Sequence, residues 1–206
     1  MKLTDWFSTV QGHRFVPLFE TDGALAVQTR IHPINGRRLL RRSAIMEATV
    51  IECVESGLKD ATWQGLLYVM GWGSASTFQP LYTGKAERKG KTQAVSSNLA
   101  RIRSNFAQFA RWGDDIARHI GALSQALFDF AGYQPPTPKY KRWAAALFDS
   151  KDPPHLKQPV SLFLTPWTDG CAGPSGLAGS LPSVEKEVIA LASVQFPDTL
   201  LNVDGR

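Results

Sequence analysis

The chain has 206 residues, of which 43% are hydrophobic and 20% charged, with a net charge of +5 at neutral pH. That make-up can bury a real core, which excludes an extended disordered polymer, and two widely separated cysteines exclude a disulfide framework or a zinc ribbon. The positive balance favours an acidic partner such as nucleic acid, and it is bunched. Five arginines and no carboxylate lie between residues 30 and 42, and six basic residues face only Glu87 between residues 85 and 103.

Residues 1–7 carry Asp5 and lack an apolar stretch, so no secretory leader is expected, and no apolar run reaches membrane-spanning length; a cytoplasmic location follows as an expectation. Residues 13–18 and 24–31 have strand character on either side of a Thr21-Asp22-Gly23 turn signal. Met46, Val50, Cys53 and Val54 form one stripe of a helix over 43–57 that stops at Gly57. Cys53 on that stripe reads as a small core hydrophobe. Residues 1–62 are therefore expected to be an extension that supports the remainder of the chain, with Arg37, Arg38, Arg41 and Arg42 as candidate nucleic-acid contacts.

The run at 65–70 suits a buried strand, and 80–83 suits a second, the two joined as a hairpin by a Gly/Ser-rich loop at 71–77. That loop ends in no Gly-Lys-Ser/Thr and leads to no helix, so it is not a phosphate loop. A basic loop at 85–93 contains Arg88, Lys89 and Lys91, which with Arg103 are further candidate nucleic-acid contacts. A helix is expected from Ser96 or Ser97, packing Leu99, Ile102, Phe106 and Phe109 and placing Arg101 and Asn105 together on another face. A second amphipathic helix is expected from 113–114 through Ile116, Ile120, Leu123, Leu127 and Phe130. Trp112 before it reads as packing, and His119 as a structural histidine off the centre of the stripe. A short helix at 141–148, a strand at 160–164, a glycine-rich loop at 168–179 and a helix from Pro182 to about 195 complete the chain. The elements sum to an α+β fold, a small sheet flanked by helices.

Leu66-Leu67-Tyr68 and Leu81-Tyr82-Thr83-Gly84-Lys85 resemble the paired tyrosine strands of the GIY-YIG nuclease superfamily. Leucines stand where the family has Gly-Ile, and Thr83 replaces its isoleucine. Asn98-Leu99-Ala100-Arg101-Ile102 resembles the family's arginine-bearing helix, with Arg103 as the competing arginine. Asn105 stands where restriction-type members carry histidine or tyrosine. Glu185-Lys186-Glu187-Val188-Ile189, then Phe196-Pro197 and Leu200-Leu201-Asn202, resembles the closing pattern in which a glutamate binds metal and an asparagine closes the site.

The resemblance covers 63–206 and implies a three-stranded core. It implies a metal-dependent endonuclease with Tyr68, Tyr82, Lys85, Arg101, Glu185 and Asn202 at the site, and Mg²⁺ or Mn²⁺ on Glu185. Double-stranded DNA is the expected substrate, RNA remaining open, and symmetric double-strand cutting would require a homodimer. A tyrosine serves as general base only if its pKa falls well below about 10. Tyr68 is assigned that role and Tyr82 a phosphate or water contact, an order that sequence leaves open. A restriction-type enzyme is the leading reading. A nuclease of low sequence selectivity from a mobile element or defence system is an alternative, as is a nucleic-acid-binding module whose site is disabled.

Overall fold

The computed structural model describes residues 2–90 and 94–203. Among them, α1 (Leu3–Thr9) precedes β1 (Arg14–Pro17), β2 (Thr29–Ile31), β3 (Arg38–Leu40) and α2 (Ala44–Lys59). The long strands β4 (Trp63–Trp72) and β5 (Gln79–Glu87) follow, and after a run of turns come α3 (His119–Phe128) and α4 (Pro138–Leu147). The chain ends with β6 (Phe148–Lys151), β7 (Pro154–Leu156), β8 (Val160–Thr168) and α5 (Leu181–Gln195). This is a mixed α+β fold. Its main sheet is antiparallel with four strands in the order β1-β8-β4-β5, and β2-β3 and β6-β7 form two small ladders.

Both faces of the main sheet are covered, which is why β4 and β8 read as nearly unbroken apolar runs rather than alternating ones. Leu66, Tyr68 and Met70 of β4 face one core with Leu162 and Leu164 of β8 and Met46, Val50 and Val54 of α2. Leu67 and Val69 face the other with Phe163, Trp167, and Val184 and Val188 of α5. There α1 lays Trp6 and Phe7 against β8, the rings of Phe7 and Phe163 being 4.7 Å apart.

Three expectations change here. The sheet has four strands, because residues 14–17 pair with β8 (Arg14 opposite Leu164) instead of with their neighbours in sequence. Residues 1–62 therefore do not stand apart: they supply an edge strand of the main sheet and a helix to each of its faces. The helix expected from Ser96 is a series of turns ending in a 3-10 segment, Phe109–Arg111, and the next helix begins only at His119. Leu99, Ile102 and Phe109 are buried as the stripe requires, but Phe106 is 51% exposed. The Asn105 amide donates to the carbonyls of Ser97 (2.7 Å) and Ala100 (3.0 Å), taking backbone acceptors that a helix would have used.

The hairpin, by contrast, forms where the sequence places it, with Tyr68 opposite Gly84 and Met70 opposite Tyr82. Ser43 caps α2 by accepting from the Met46 amide (3.0 Å), and Ser180 is the N-cap of α5. Cys53 lies in the core.

Candidate active site

The site is built around β5, the outer strand. Tyr82, Gly84 and Ala86 point to the same face as Tyr68, while Thr83 and Lys85 point to the face covered by α5. Two clamps cover the free edge of β5. Asn202 accepts from the Thr83 amide (2.8 Å) and donates to its carbonyl (2.9 Å), with Leu201 N–H on the Leu81 carbonyl (2.6 Å). Further along, the Ser96 hydroxyl donates to the Glu87 carbonyl (2.7 Å). Between these clamps the edge opens on a cavity of about 570 Å³ whose lining includes Tyr68, Tyr82, Gly84, Lys85, Arg111 and Glu185.

Four of the residues expected from sequence meet here, and Asn202 holds the strand that carries two of them. Gly84 has a specific duty: a Cβ there would lie 2.7 Å from Cζ and Oη of Tyr68, so the missing side chain is what lets that ring lie across β5. On the opposite face, Lys85 Nζ donates to Glu185 Oε2 at 2.6 Å, tying α5 to the strand.

Arg101 is not part of the cavity. It is exposed, in a turn with φ of 51°. Arg103 pairs with Glu55 on the surface (2.6 Å). The arginine that lines the cavity is Arg111, ten residues beyond the expected position. It is carried there by Ala110 and Arg111 in left-handed conformations, φ 49° and 77°, which cost on the order of 1–2 kcal/mol each without glycine. Backbone bonds offset that strain, with Ala110 N–H on the Asn98 carbonyl and Arg111 N–H on the Gln108 carbonyl, both 2.8 Å. No periodicity announces such a turn.

Behind the tyrosines lies a buried polar chain. Tyr68 Oη is 2.9 Å from Nε2 of His119, and Nδ1 of the same ring is 2.9 Å from Tyr140 Oη. Burial holds the Tyr68 phenol well above its ordinary pKa and the His119 imidazole well below its own, with Lys139, Arg111 and Arg118 opposing a charge on the imidazole. Tyr140 is pushed up to about 12, again chiefly by burial. All three are neutral near pH 7. Trp112 packs edge-on against Tyr68 (5.4 Å) and His119 (4.7 Å), the packing role expected of it. Lys139 donates to Tyr82 Oη at 3.1 Å and lies 4.3 Å above that ring. Lys139 and Tyr140 escaped sequence reading, and His119 was read only as a structural histidine, because α3 and α4 bring them to the tyrosine strands through long-range contacts that local spacing does not encode.

The expected nucleic-acid contacts are placed differently. Arg42 is 5% exposed and holds Glu47 (2.8 Å), the Asp114 carboxylate (3.2 Å) and the Trp112 carbonyl (2.9 Å). Arg30 also pairs with Asp114. Arg38 binds Asp152 (2.9 Å) over the Phe128 ring, and Arg37 lies over Phe130 and Tyr133. Arg41 is exposed beside Gln28. The cluster therefore works mainly within the protein. Arg88 binds the carbonyls of Asp60 (2.6 Å) and Ala61 (3.2 Å), and Lys89 lines the cavity. Lys91 lies outside the described residues.

Among the described residues no three of His, Cys, Asp and Glu come together, and the cavity lining holds two carboxylates, Glu87 and Glu185; a hard cation on Glu185 would take most of its other positions from water and phosphate oxygens. Mg²⁺ and Mn²⁺ suit such sparse protein ligation. Among the described residues, no helix is long and apolar enough to cross a membrane. No family model matches the chain, and no curated protein or solved structure matches it either.

Proposed function

We propose that this chain is a metal-dependent endonuclease that hydrolyses DNA phosphodiester bonds in the cavity beside β5, with β8, β4 and β5 as the three strands of a GIY-YIG-like core. The observation that carries the reading is the convergence of Tyr68, Tyr82, Lys85, Arg111 and Glu185 on one polar cavity from strand, turn and helix. Phosphodiester hydrolysis needs a deprotonated water, charge neutralisation at phosphorus and a stabilised leaving oxygen. Arg111 offers a fixed positive fork to the phosphate oxygens. Lys85 holds the Glu185 carboxylate in place from the strand. Glu185 would hold a divalent cation, which when bound would supply Lewis-acid charge to the phosphate. Lys139, donating to Tyr82 Oη, fixes that hydroxyl at the cavity wall, where it would contact a water or phosphate oxygen. The engaged arginines of the first 62 residues support the core more than they extend a DNA surface, so sequence selectivity is not part of this proposal.

The test is digestion of supercoiled plasmid by the full chain with Mg²⁺, Mn²⁺ or EDTA. Cutting should require the metal. Glu185→Gln should abolish it while DNA retardation persists, and Arg111→Ala should slow it by about 10²–10³, the usual worth of one charge-stabilising donor. Arg101→Ala should change little. Retardation of DNA without cutting under any condition would make the chain a binding module instead.

A further inference from the structure

Burial favours the neutral form of the Tyr68 phenol, and the same hydroxyl joins the cavity to a polar chain leading away from it. We propose that Tyr68, His119 and Tyr140 form a proton relay that carries the attacking water's proton out of the cavity to the surface of α4. This inference rests on the nuclease reading of the same cavity.

The geometry sets the route. Both links are 2.9 Å, short enough for direct transfer, and they use the two opposite nitrogens of one imidazole. His119 is 1% exposed, at the start of α3. Its ring is boxed by Trp112, Trp143 (5.1 Å between ring centres) and Tyr82 (5.5 Å), so it cannot swing to find other partners. Tyr140 is the least enclosed of the three, half-buried on α4.

In the resting arrangement the Tyr68 O–H donates to Nε2, Nδ1–H donates to Tyr140 Oη, and the Tyr68 lone pair faces the cavity. As water attacks phosphorus, one water O–H bond breaks and its proton goes to Tyr68 Oη. Tyr68's own proton passes to Nε2, the Nδ1 proton passes to Tyr140 Oη, and Tyr140's proton goes to solvent. The new P–O bond forms, the P–O bond to the leaving oxygen breaks, and the departing alkoxide takes a proton from water in the open cavity. Every relay member ends neutral, with the imidazole in its other tautomer. After product leaves, Tyr68 returns a proton to water in the open cavity, Tyr140 regains one from solvent, and the chain resets. No group in the relay holds a charge, so the burial that disfavours a Tyr68 phenolate does not oppose this path.

The groups facing the imidazole are Tyr68, Tyr82, Trp112, Tyr140 and Trp143, with the positive charges of Lys139, Arg111 and Arg118 nearby. None is a carboxylate that would favour a charged ring.

The experiment has two arms. In metal-free protein, ¹⁵N NMR of His119 should show a neutral ring from pH 5 to 9; protonation near the ordinary histidine value would overturn the relay, whether or not the chain proves to be a nuclease. In single-turnover cleavage, Tyr140→Phe and His119→Gln should each slow the wild-type rate at least tenfold. Glutamine can keep a donor and an acceptor in place but does not pass a proton on. The rate plotted against deuterium fraction should curve for wild type, as several protons move together, and become straight in both variants. Wild-type rates or unchanged curvature in folded Tyr140→Phe would overturn the relay and leave the nuclease reading standing. A wild-type chain that never cuts would defeat the nuclease reading itself.

Discussion

Removing the Asp114 carboxylate isolates the question of what the arginines near the N-terminus do. Asp114 and Arg42 each have 3% of their side chain exposed, and they meet at 3.2 Å beneath a lid formed by Arg30. In Asp114→Ala, Arg42 keeps the partly exposed Glu47 and the Trp112 carbonyl but loses its buried counter-charge, and Arg30 loses its Asp114 contact. Breaking a buried pair from one side costs about 3–5 kcal/mol, and the surviving Glu47 contact places this case near about 3. For a chain of this length that corresponds to a fall in Tm of roughly 6–12 °C, at 2–4 °C per kcal/mol. Urea unfolding should show the midpoint fall with an unchanged slope. The double variant Arg42→Met, Asp114→Leu should recover most of the loss, because paired apolar side chains can replace a buried ion pair. Arg42→Met alone should leave the dependence of log DNA affinity on log salt unchanged. A loss under about 1 kcal/mol for Asp114→Ala, or a salt slope about 0.9 shallower in Arg42→Met, would refute the structural assignment and return Arg42 to the DNA surface.

Gly84→Ala should displace the Tyr68 ring, because its Cβ would fall 2.7 Å from Oη; cleavage should drop at least tenfold with the fold intact, and unchanged activity would mean that the ring position is unimportant. His119 also predicts a pH dependence of stability. Its folded pKa is depressed by burial, so the unfolded chain takes up a proton first as pH falls. The stability it contributes is present above about pH 6.5 and is lost as pH falls below that toward its folded value. His119→Gln should remove that component, seen as a flatter decline of urea midpoints between about pH 6.5 and 5; identical declines would mean that the ring is solvated.

Legibility followed the range of the forces. Tyr68, Tyr82 and Lys85 were singled out by the resemblance to paired tyrosine strands, while the hairpin that carries them was readable because strand patterning is local; its register puts Tyr68 opposite Gly84. Glu185 was singled out over Glu187 by its spacing to Val188-Ile189 in the resemblance, since helical periodicity leaves both on the flanks of the stripe; in the structure it is Glu185 that bonds Lys85. Glu187 instead accepts from the Ser175 amide. Arg101 lies outside the cavity because Leu99, Ile102, Phe106 and Phe109 imitate a helix, whereas tertiary bonds hold that segment in turns and bring Arg111 to the cavity at positive φ.

Composition and periodicity alone determined that the chain buries a core, mixes helices with a small sheet, and carries two tyrosine strands and a closing helix with a glutamate. These depend on neighbours a few residues apart. The tertiary structure decided which charges are solvated and which are internal, since a guanidinium reads the same in sequence whether it faces water or a buried aspartate. It also decided that β1 joins the main sheet and that His119 bridges two tyrosines from other elements. Those outcomes depend on burial and long-range pairing, which no local spacing contains.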